Sequence, residues 1–249
     1  MTKIILVLGV LYSTILFASQ ITIAVSANVS YAIEPLKKAF TQLHPQTEVR
    51  IILGSSGKLM AQISHGAPYQ LFMSANMAYP QALYTKGLTQ DRPLIYAQGA
   101  LAILSQKPRN YCADIFTLND PDIRHIAIAN PKTAPYGKAS VEALKKARLY
   151  RKLEKKFVYG ESISQTLIYA TKVADIGIIA KSALYSPRLL AYKEAIHWSE
   201  IDSSLYTPIQ QGMVILKEGK GLVEVQAFYD FILSPQAQKI LRNFGYTIP

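Results

Sequence analysis

The chain has 249 residues, half of them hydrophobic, and its 27 Lys and Arg outnumber its 16 Asp and Glu, for a formal net charge of +11. This hydrophobic content argues against a disordered chain, and the length suffices for one large or two smaller domains with their own cores. A single cysteine, Cys112, excludes an intramolecular disulfide and a zinc cluster built from thiolates.

The first twenty residues have the plan of a secretory signal peptide. In MTKIILVLGVLYSTILFASQ, one lysine precedes an apolar run of about 13 residues, and small residues follow. A membrane-spanning helix needs about 20 apolar residues, and no cysteine follows the run to carry a lipid anchor. We therefore predict a signal peptide over residues 1–19, cleaved after Ala18 or Ser19, and export to a bacterial periplasm.

The next stretch predicts two strand–turn–helix units in succession. Apolar residues alternate from Ile21 to Val25, small polar residues form a turn at 26–28, and helical spacing extends to Phe40. VRIILGSSGKLMAQI repeats the plan, because an apolar strand stops at Gly54 and a helix begins directly after the serines. In an open α/β sheet, such turns lie at the carboxyl ends of the strands, where ligands usually bind.

The remaining chain predicts a second region of the same kind. LIYAQGALAILSQ is a long apolar β segment that leaves the first region, and YTPIQQGMVILKEG is a strand that returns to it. Between them, NPKTAPYG precedes a helix predicted from about Lys138 to Ala147, and GESIS joins another strand to another helix. We predict an α/β fold of two lobes, residues 20–100 with 209–249 and residues 101–208, that enclose a ligand cleft.

The four turns between strands and helices carry neutral hydrogen-bond donors. These donors are hydroxyls, an amide and backbone N–H groups at Asn28, Ser56, Tyr136 and Ile163. Neutral donors suit a fully ionised tetrahedral oxyanion, because they stabilise its charge through dipoles. Each turn alone fits ordinary helix capping, but four turns facing one cleft predict an anion site, with no metal-cation site and no cofactor.

Other kinds of site fit the residues less well. Gly54 and Gly57 are spaced wrongly for a nucleotide-binding P-loop, and Leu59 stands where the magnesium-holding hydroxyl belongs. An exported serine hydrolase stays an alternative, with Ser56 or Ser162 as its nucleophile. The basic residues are scattered over predicted helix faces without a recognition motif, so nucleic acid is not a predicted partner.

Several segments resemble the periplasmic molybdate-binding proteins of bacterial molybdate ABC transporters, the ModA type. The segments are AVSANVSYAI, GSSGKLMAQISHGAPYQLFMSAN, NPKTAPYGKASVEAL, ADIGIIAKSA and FYDFILSPQAQKILRNFGY. The resemblance implies a type II periplasmic-binding-protein fold, whose lobes are joined by two crossover strands and close on molybdate or tungstate. It also implies delivery of the ligand to a membrane permease, no enzymatic activity and no cofactor, and we expect a monomer.

By position, the resemblance implies that Asn28 and Ser56 are ligands from the first lobe, and that Tyr136 and Ile163 offer backbone N–H groups from the second. Some members place a tyrosine directly after GI[VI], where this chain has Ala180. Those members have alanine at the position of Tyr136, so we predict that the Tyr136 hydroxyl replaces the missing donor.

Charged residues near the turns bear on the choice of ligand. Lys58 and Lys138 follow two of the turns, and we expect them to attract anions over a distance without contacting the ligand. Sulfate and phosphate are the alternative oxyanions. Sulfate differs from molybdate mainly in size, whereas a protonated phosphate needs a carboxylate acceptor, for which Glu161 in GESIS is the one obvious candidate in the turns.

Overall fold

A computed structural model describes residues 19–111 and 114–248 of the chain. Residues 1–18 of the predicted signal peptide and Cys112 lie outside these ranges, and Ser19 is the first residue of the first strand. Within the same ranges, no helix combines the length and the apolar character that crossing a membrane requires.

The described part of the chain contains ten β-strands and eight α-helices. The strands are β1 Ser19–Ser26, β2 Thr47–Gly54, β3 Leu71–Ser74, β4 Leu94–Gly99, β5 Leu101–Leu104, β6 Ile126–Ala129, β7 Phe157–Gly160, β8 Ile176–Ala180, β9 Trp198–Glu200 and β10 Ile209–Ile215. The helices are α1 Ile33–Leu43, α2 Ser56–Ser64, α3 Ala78–Thr85, α4 Pro135–Lys146, α5 Tyr150–Leu153, α6 Ile163–Lys172, α7 Val223–Leu233 and α8 Pro235–Asn243. A short 3-10 turn, Ala27–Val29, directly follows β1.

The strands form two five-stranded mixed sheets, one in each lobe. The first sheet has the order β2-β1-β3-β10-β4, in which the first three strands are parallel and β10 runs antiparallel to both neighbours. The second has the order β7-β6-β8-β5-β9, with parallel pairing among the first three strands and antiparallel pairing at β5. The prediction of a two-lobed α/β fold is therefore confirmed.

Two segments of the chain cross between the lobes, and they lie next to each other. β4 of the first sheet leads through Ala100 into β5 of the second, so the predicted long β segment consists of two strands that belong to different sheets. The chain returns in β10, where Ile209 pairs with Gly99 at the end of β4. The register of this pair then shifts between Gln211 and Gly212, which places a β-bulge next to the crossing.

Each lobe has its own apolar core, as the patterns in the chain require. In the first lobe, Phe40 of α1 is fully buried, and its ring lies edge-on to Phe228 and Phe231 of α7 at centroid distances of 4.9 and 5.6 Å. In the second lobe, every residue of β6 and β8 is buried, as expected for parallel strands that are covered on both faces. The two cores support the turns that face the cleft.

Helix α4 begins at Pro135, three residues before the predicted start at Lys138. Proline suits the first helical position because its fixed φ is pre-organised for the helix and its missing N–H costs no hydrogen bond there. Tyr136 therefore lies in the first turn of a helix rather than in a loop. The next residue, Gly137, contacts the end of β6 so closely that a Cβ would overlap the carbonyl oxygen of Ala129.

We expect Gly137→Ala to destabilise the protein by roughly 1–3 kcal/mol, because the added methyl group must push α4 away from β6. For a chain of this size, each kcal/mol lowers the melting temperature by about 2–4 °C. Lys138→Ala is the matched control, since this neighbouring side chain is exposed and the change should cost less than about 0.5 kcal/mol. Thermal unfolding followed by circular dichroism compares the two variants, and equal melting temperatures would contradict the packing argument.

Candidate functional site

A small cavity lies between the two lobes. Its lining residues are Ser26, Ala27, Asn28, Ser55, Ser56, Ala75, Ala134, Pro135, Tyr136 and Ile163. None of these residues carries a charge, and the four predicted ligand residues, Asn28, Ser56, Tyr136 and Ile163, are all among them. The structure therefore brings together four turns that are separated along the chain.

Backbone N–H groups at three helix starts are available to a ligand. The first N–H groups of an α-helix have no acceptor within the helix, and the hydrogen bonds between described residues include none from the N–H of Ser56, Tyr136 or Ile163. These residues lie in the first turns of α2, α4 and α6. The positive ends of three helix dipoles thus meet at the cavity and favour an anion there.

A pair of serine hydroxyls forms one wall of the cavity. The Oγ atoms of Ser26 and Ser56 are 2.5 Å apart, and the N–H of Ala75 donates to both, at 3.1 and 3.0 Å. One hydroxyl donates to the other, so the second proton of the pair is left to donate to a ligand. Ser26 was not among the predicted ligand residues, although it lies in the same predicted turn as Asn28.

Two residues that sequence reasoning missed form hydrogen bonds with the side chain of Asn28 beneath the cavity. Its Nδ2 donates to Oε1 of Gln211 at 2.8 Å and to the hydroxyl of Tyr246 at 2.9 Å. These partners lie 183 and 218 residues away along the chain, so no local pattern points to them. The Oδ1 atom of Asn28 is buried and has no hydrogen-bond partner among the described residues.

The ring of Tyr136 lines the cavity, and its hydroxyl lies beside Gly99, where a Cβ would collide with it. Within the described ranges this hydroxyl has no hydrogen-bond partner. Burial holds the pKa of the Tyr136 hydroxyl well above its usual value, and the nearby Asn28 side chain offsets part of that rise. Ala180 borders a separate small recess next to Asn28 and Ile163. The predicted donation from the Tyr136 hydroxyl to the ligand stays a prediction.

Charged side chains lie outside the cavity. Lys58 and Lys138 are exposed and do not line it. Glu161 is also exposed and lies in an outer groove with Lys58 and Arg188, where it accepts a hydrogen bond of 3.1 Å from the hydroxyl of Ser55. The carboxylate therefore lies at the rim, and the cavity itself offers no carboxylate acceptor to a protonated anion.

The lobes contact each other directly around the cavity. The N–H of Gly57 in α2 donates to the carbonyl oxygen of Thr133 before α4, at 2.9 Å. From the second lobe, the hydroxyl of Ser164 donates to the carbonyl oxygen of Ala27 at 2.7 Å. Together with the bond between Ser55 and Glu161, these contacts connect all four turns across the cleft.

Neither serine proposed as a nucleophile forms a hydrogen bond with a histidine in the described part of the chain. No histidine lines the cavity next to Ser56. The hydroxyl of Ser162 accepts the N–H of Gln165 at 3.3 Å, which is the ordinary role of a helix N-cap. Among the residues that the structure describes, no group of three His, Cys, Asp or Glu side chains is placed to hold a metal ion.

Comparisons with known proteins bear on this site. The family model of bacterial extracellular solute-binding proteins matches residues 21–247. The molybdate-binding protein ModA of Rhodobacter capsulatus is 34% identical over 231 residues, 92% of this chain and 88% of that protein. The protein of the same name from Azotobacter vinelandii is 34% identical over 233 residues, 92% of this chain and 90% of that protein.

A solved structure, the Azotobacter vinelandii periplasmic molybdate-binding protein, has the same fold. The TM-score is 0.85 at 30% sequence identity, and the match covers 92% of this chain and 99% of that chain. These relatives are solute-binding proteins and not enzymes.

The buried tyrosine below Asn28 predicts a loss of stability at alkaline pH. Burial raises the pKa of Tyr246 to about 12, compared with about 10 in an unfolded chain. Between these values the folded chain keeps the proton and the unfolded chain loses it. The free energy of unfolding should therefore fall, by roughly 2–3 kcal/mol, as the pH rises from about 10 to about 12, and this contribution should be fully present below about pH 9.

Urea unfolding at a series of pH values between 9 and 12 measures this loss. Tyr246→Phe lacks the titrating hydroxyl, so the decline of its unfolding free energy with pH should be shallower than that of the parent. An equally steep decline in both proteins would show that Tyr246 is not the titrating group.

Proposed function

The chain belongs to the bacterial extracellular solute-binding proteins and within them to the ModA type, and on this basis we propose that it captures molybdate outside the cytoplasm for an ABC transporter. The observation that carries the proposal is the uncharged cavity at which a serine pair and three helix starts converge. Tungstate, a tetrahedral dianion of the same charge, is the second ligand that we propose.

We propose that the ligand is held by donors from both lobes. Ser56 would donate through its N–H and, with Ser26, through the spare hydroxyl proton, while Asn28 would donate through its backbone N–H. Tyr136 and Ile163 would add backbone N–H groups from the second lobe. Hydrogen bonds to a charged group contribute about 1.5–3 kcal/mol each, so a few such donors suffice for tight binding without a cationic side chain.

Because each lobe supplies only part of the donor shell, the anion is fully coordinated only when the lobes meet. Binding would therefore favour the closed arrangement of the lobes, which we propose as residues 20–100 with 209–249 and residues 101–208. The closed shape would then be recognised by a membrane permease. We also propose that the signal peptide, residues 1–19, is removed on export to the periplasm and that the mature protein is a monomer.

Isothermal titration calorimetry of residues 20–249 with molybdate, tungstate, sulfate and phosphate tests the proposal. We expect tight one-to-one binding of the first two, and weak or no binding of the others. The affinity should stay constant between about pH 6.5 and 9, because no donor in the cavity titrates there. Tighter binding of sulfate or phosphate would reassign the ligand. No heat and no thermal stabilisation with any of the four would overturn the proposal and lead to an ester-hydrolysis screen.

Ser56→Ala should weaken molybdate binding by about 10- to 100-fold, since it removes a hydroxyl that donates to a charged ligand or holds the donor in place. The matched control is Ser203→Ala, because Ser203 is exposed and outside the cavity lining. The same titration compares both variants with the parent. Equal affinities for the parent and Ser56→Ala would remove Ser56 from the ligand set.

A further inference from the structure

A cluster of buried polar side chains lies beneath the cavity, where the crossing strands join the lobes. Gln211 of β10 is completely buried at the β-bulge, and Tyr246 of the C-terminal segment is 3% exposed. Both bond to Asn28, which lines the cavity. Buried side-chain amides such as that of Gln211 are nearly always hydrogen-bonded. The hydrogen-bond partners of Gln211 therefore show which groups this side chain positions.

The partners of Gln211 determine which way the Asn28 amide faces. Nε2 of Gln211 donates to the carbonyl oxygen of Ile209 at 2.7 Å, which leaves its Oε1 as the acceptor for Asn28. The atom of Asn28 that faces Gln211 must then be the donor Nδ2. The second proton of Nδ2 goes to the hydroxyl of Tyr246, which itself donates to the carbonyl oxygen of Asn28 at 2.9 Å.

This orientation leaves one acceptor and one donor without partners, and the two are complementary. Oδ1 of Asn28 and the hydroxyl of Tyr136 are both buried and unpaired among the described residues. Both residues line the cavity, and a Cβ at Gly99 would meet both the Tyr136 hydroxyl and Nε2 of Gln211, so this hydroxyl lies beside the side chain that holds Asn28. Asn28 belongs to the first lobe and Tyr136 to the second, so a contact between them joins the lobes.

We propose that Gln211 and Tyr246 are positioning residues of the oxyanion site, which hold the Asn28 amide so that its Oδ1 accepts a hydrogen bond from the Tyr136 hydroxyl whenever the lobes close, with or without a ligand. This inference rests on the proposed function. The Tyr136 hydroxyl then stabilises the closed arrangement, which is an alternative to the donation to the anion that the sequence predicts. Gly99 is required at the crossing strand because any side chain there would displace the hydroxyl.

A double-mutant cycle on molybdate affinity tests the proposal, with Gln211→Met, Tyr136→Phe and the double variant. Each single variant should raise the dissociation constant about tenfold, mainly through faster dissociation, because a contact of the closed state is lost. The double variant should bind molybdate about tenfold more weakly than the parent, rather than about 100-fold, because both changes remove the same contact. Gln210→Met is the matched control, since this neighbouring glutamine is exposed and should leave the affinity unchanged.

Two outcomes would overturn the proposal. If the losses of affinity in the two single variants multiply in the double variant, Gln211 and Tyr136 act independently, for example because the hydroxyl donates directly to the anion. An unchanged affinity for Gln211→Met would remove the positioning role. If Gln211→Met does not fold, Tyr246→Phe replaces it, because the change removes a single hydroxyl; its loss of affinity should disappear when Tyr136→Phe is also present.

The same variants unfolded in urea without ligand separate this proposal from the proposed function. The lobes contact each other in the structure, so the changes at Gln211 and Tyr136 should also be non-additive in the unfolding midpoint. If the parent binds no molybdate but this non-additivity persists, the ligand assignment fails and the positioning role holds. A different result would refute the positioning role and leave the proposed function intact. In it, the chain binds molybdate, the losses of affinity in the single variants multiply in the double variant, and their shifts of the unfolding midpoint add.

Discussion

The proposed oxyanion site depends on one electrostatic constraint, which is that an anion taken out of water must find donors that replace its hydration. The cavity has no cationic side chain, so backbone N–H groups at helix starts and a serine pair must do this. Such groups act only at short range and in fixed directions. The fold must therefore bring several helix starts within reach of one point, and two α/β lobes that face each other achieve this.

The two crossing strands connect the cavity to the junction between the lobes. β4 and β10 pair at the point where the chain leaves and re-enters the first lobe, and the bulge at Gln211 directs this side chain toward the floor of the cavity. The cavity lining and the crossing segment are thus joined by a direct hydrogen bond. Under the proposed function, a ligand that bridges the lobes would act on the crossing through contacts already present in the protein.

The positive net charge of the chain and the neutrality of the cavity serve different steps. Exposed lysines such as Lys58 and Lys138 lie outside the cavity and can raise the local concentration of anions without binding one. Inside, donors that never lose a proton keep the donor shell the same over the neutral pH range. Glu161 accepts a hydrogen bond from Ser55 at the rim, so its negative charge lies outside the cavity.

Most of the fold and the four candidate ligand residues could be predicted from the sequence, because local periodicity encodes each strand and helix, and a polar turn after a parallel strand must lie at the ligand edge of the sheet. The same local reasoning places α4 three residues late and does not predict the three-residue edge strand β9. Local reasoning does not identify Gln211 and Tyr246, because each resembles an ordinary core residue in the sequence. The fold brings them to Asn28 from 183 and 218 residues away. The sequence by itself thus determined the elements and the chemistry of the donors. Only the tertiary structure decided which hydroxyls and amides meet beneath the cavity, because those contacts depend on packing between distant segments.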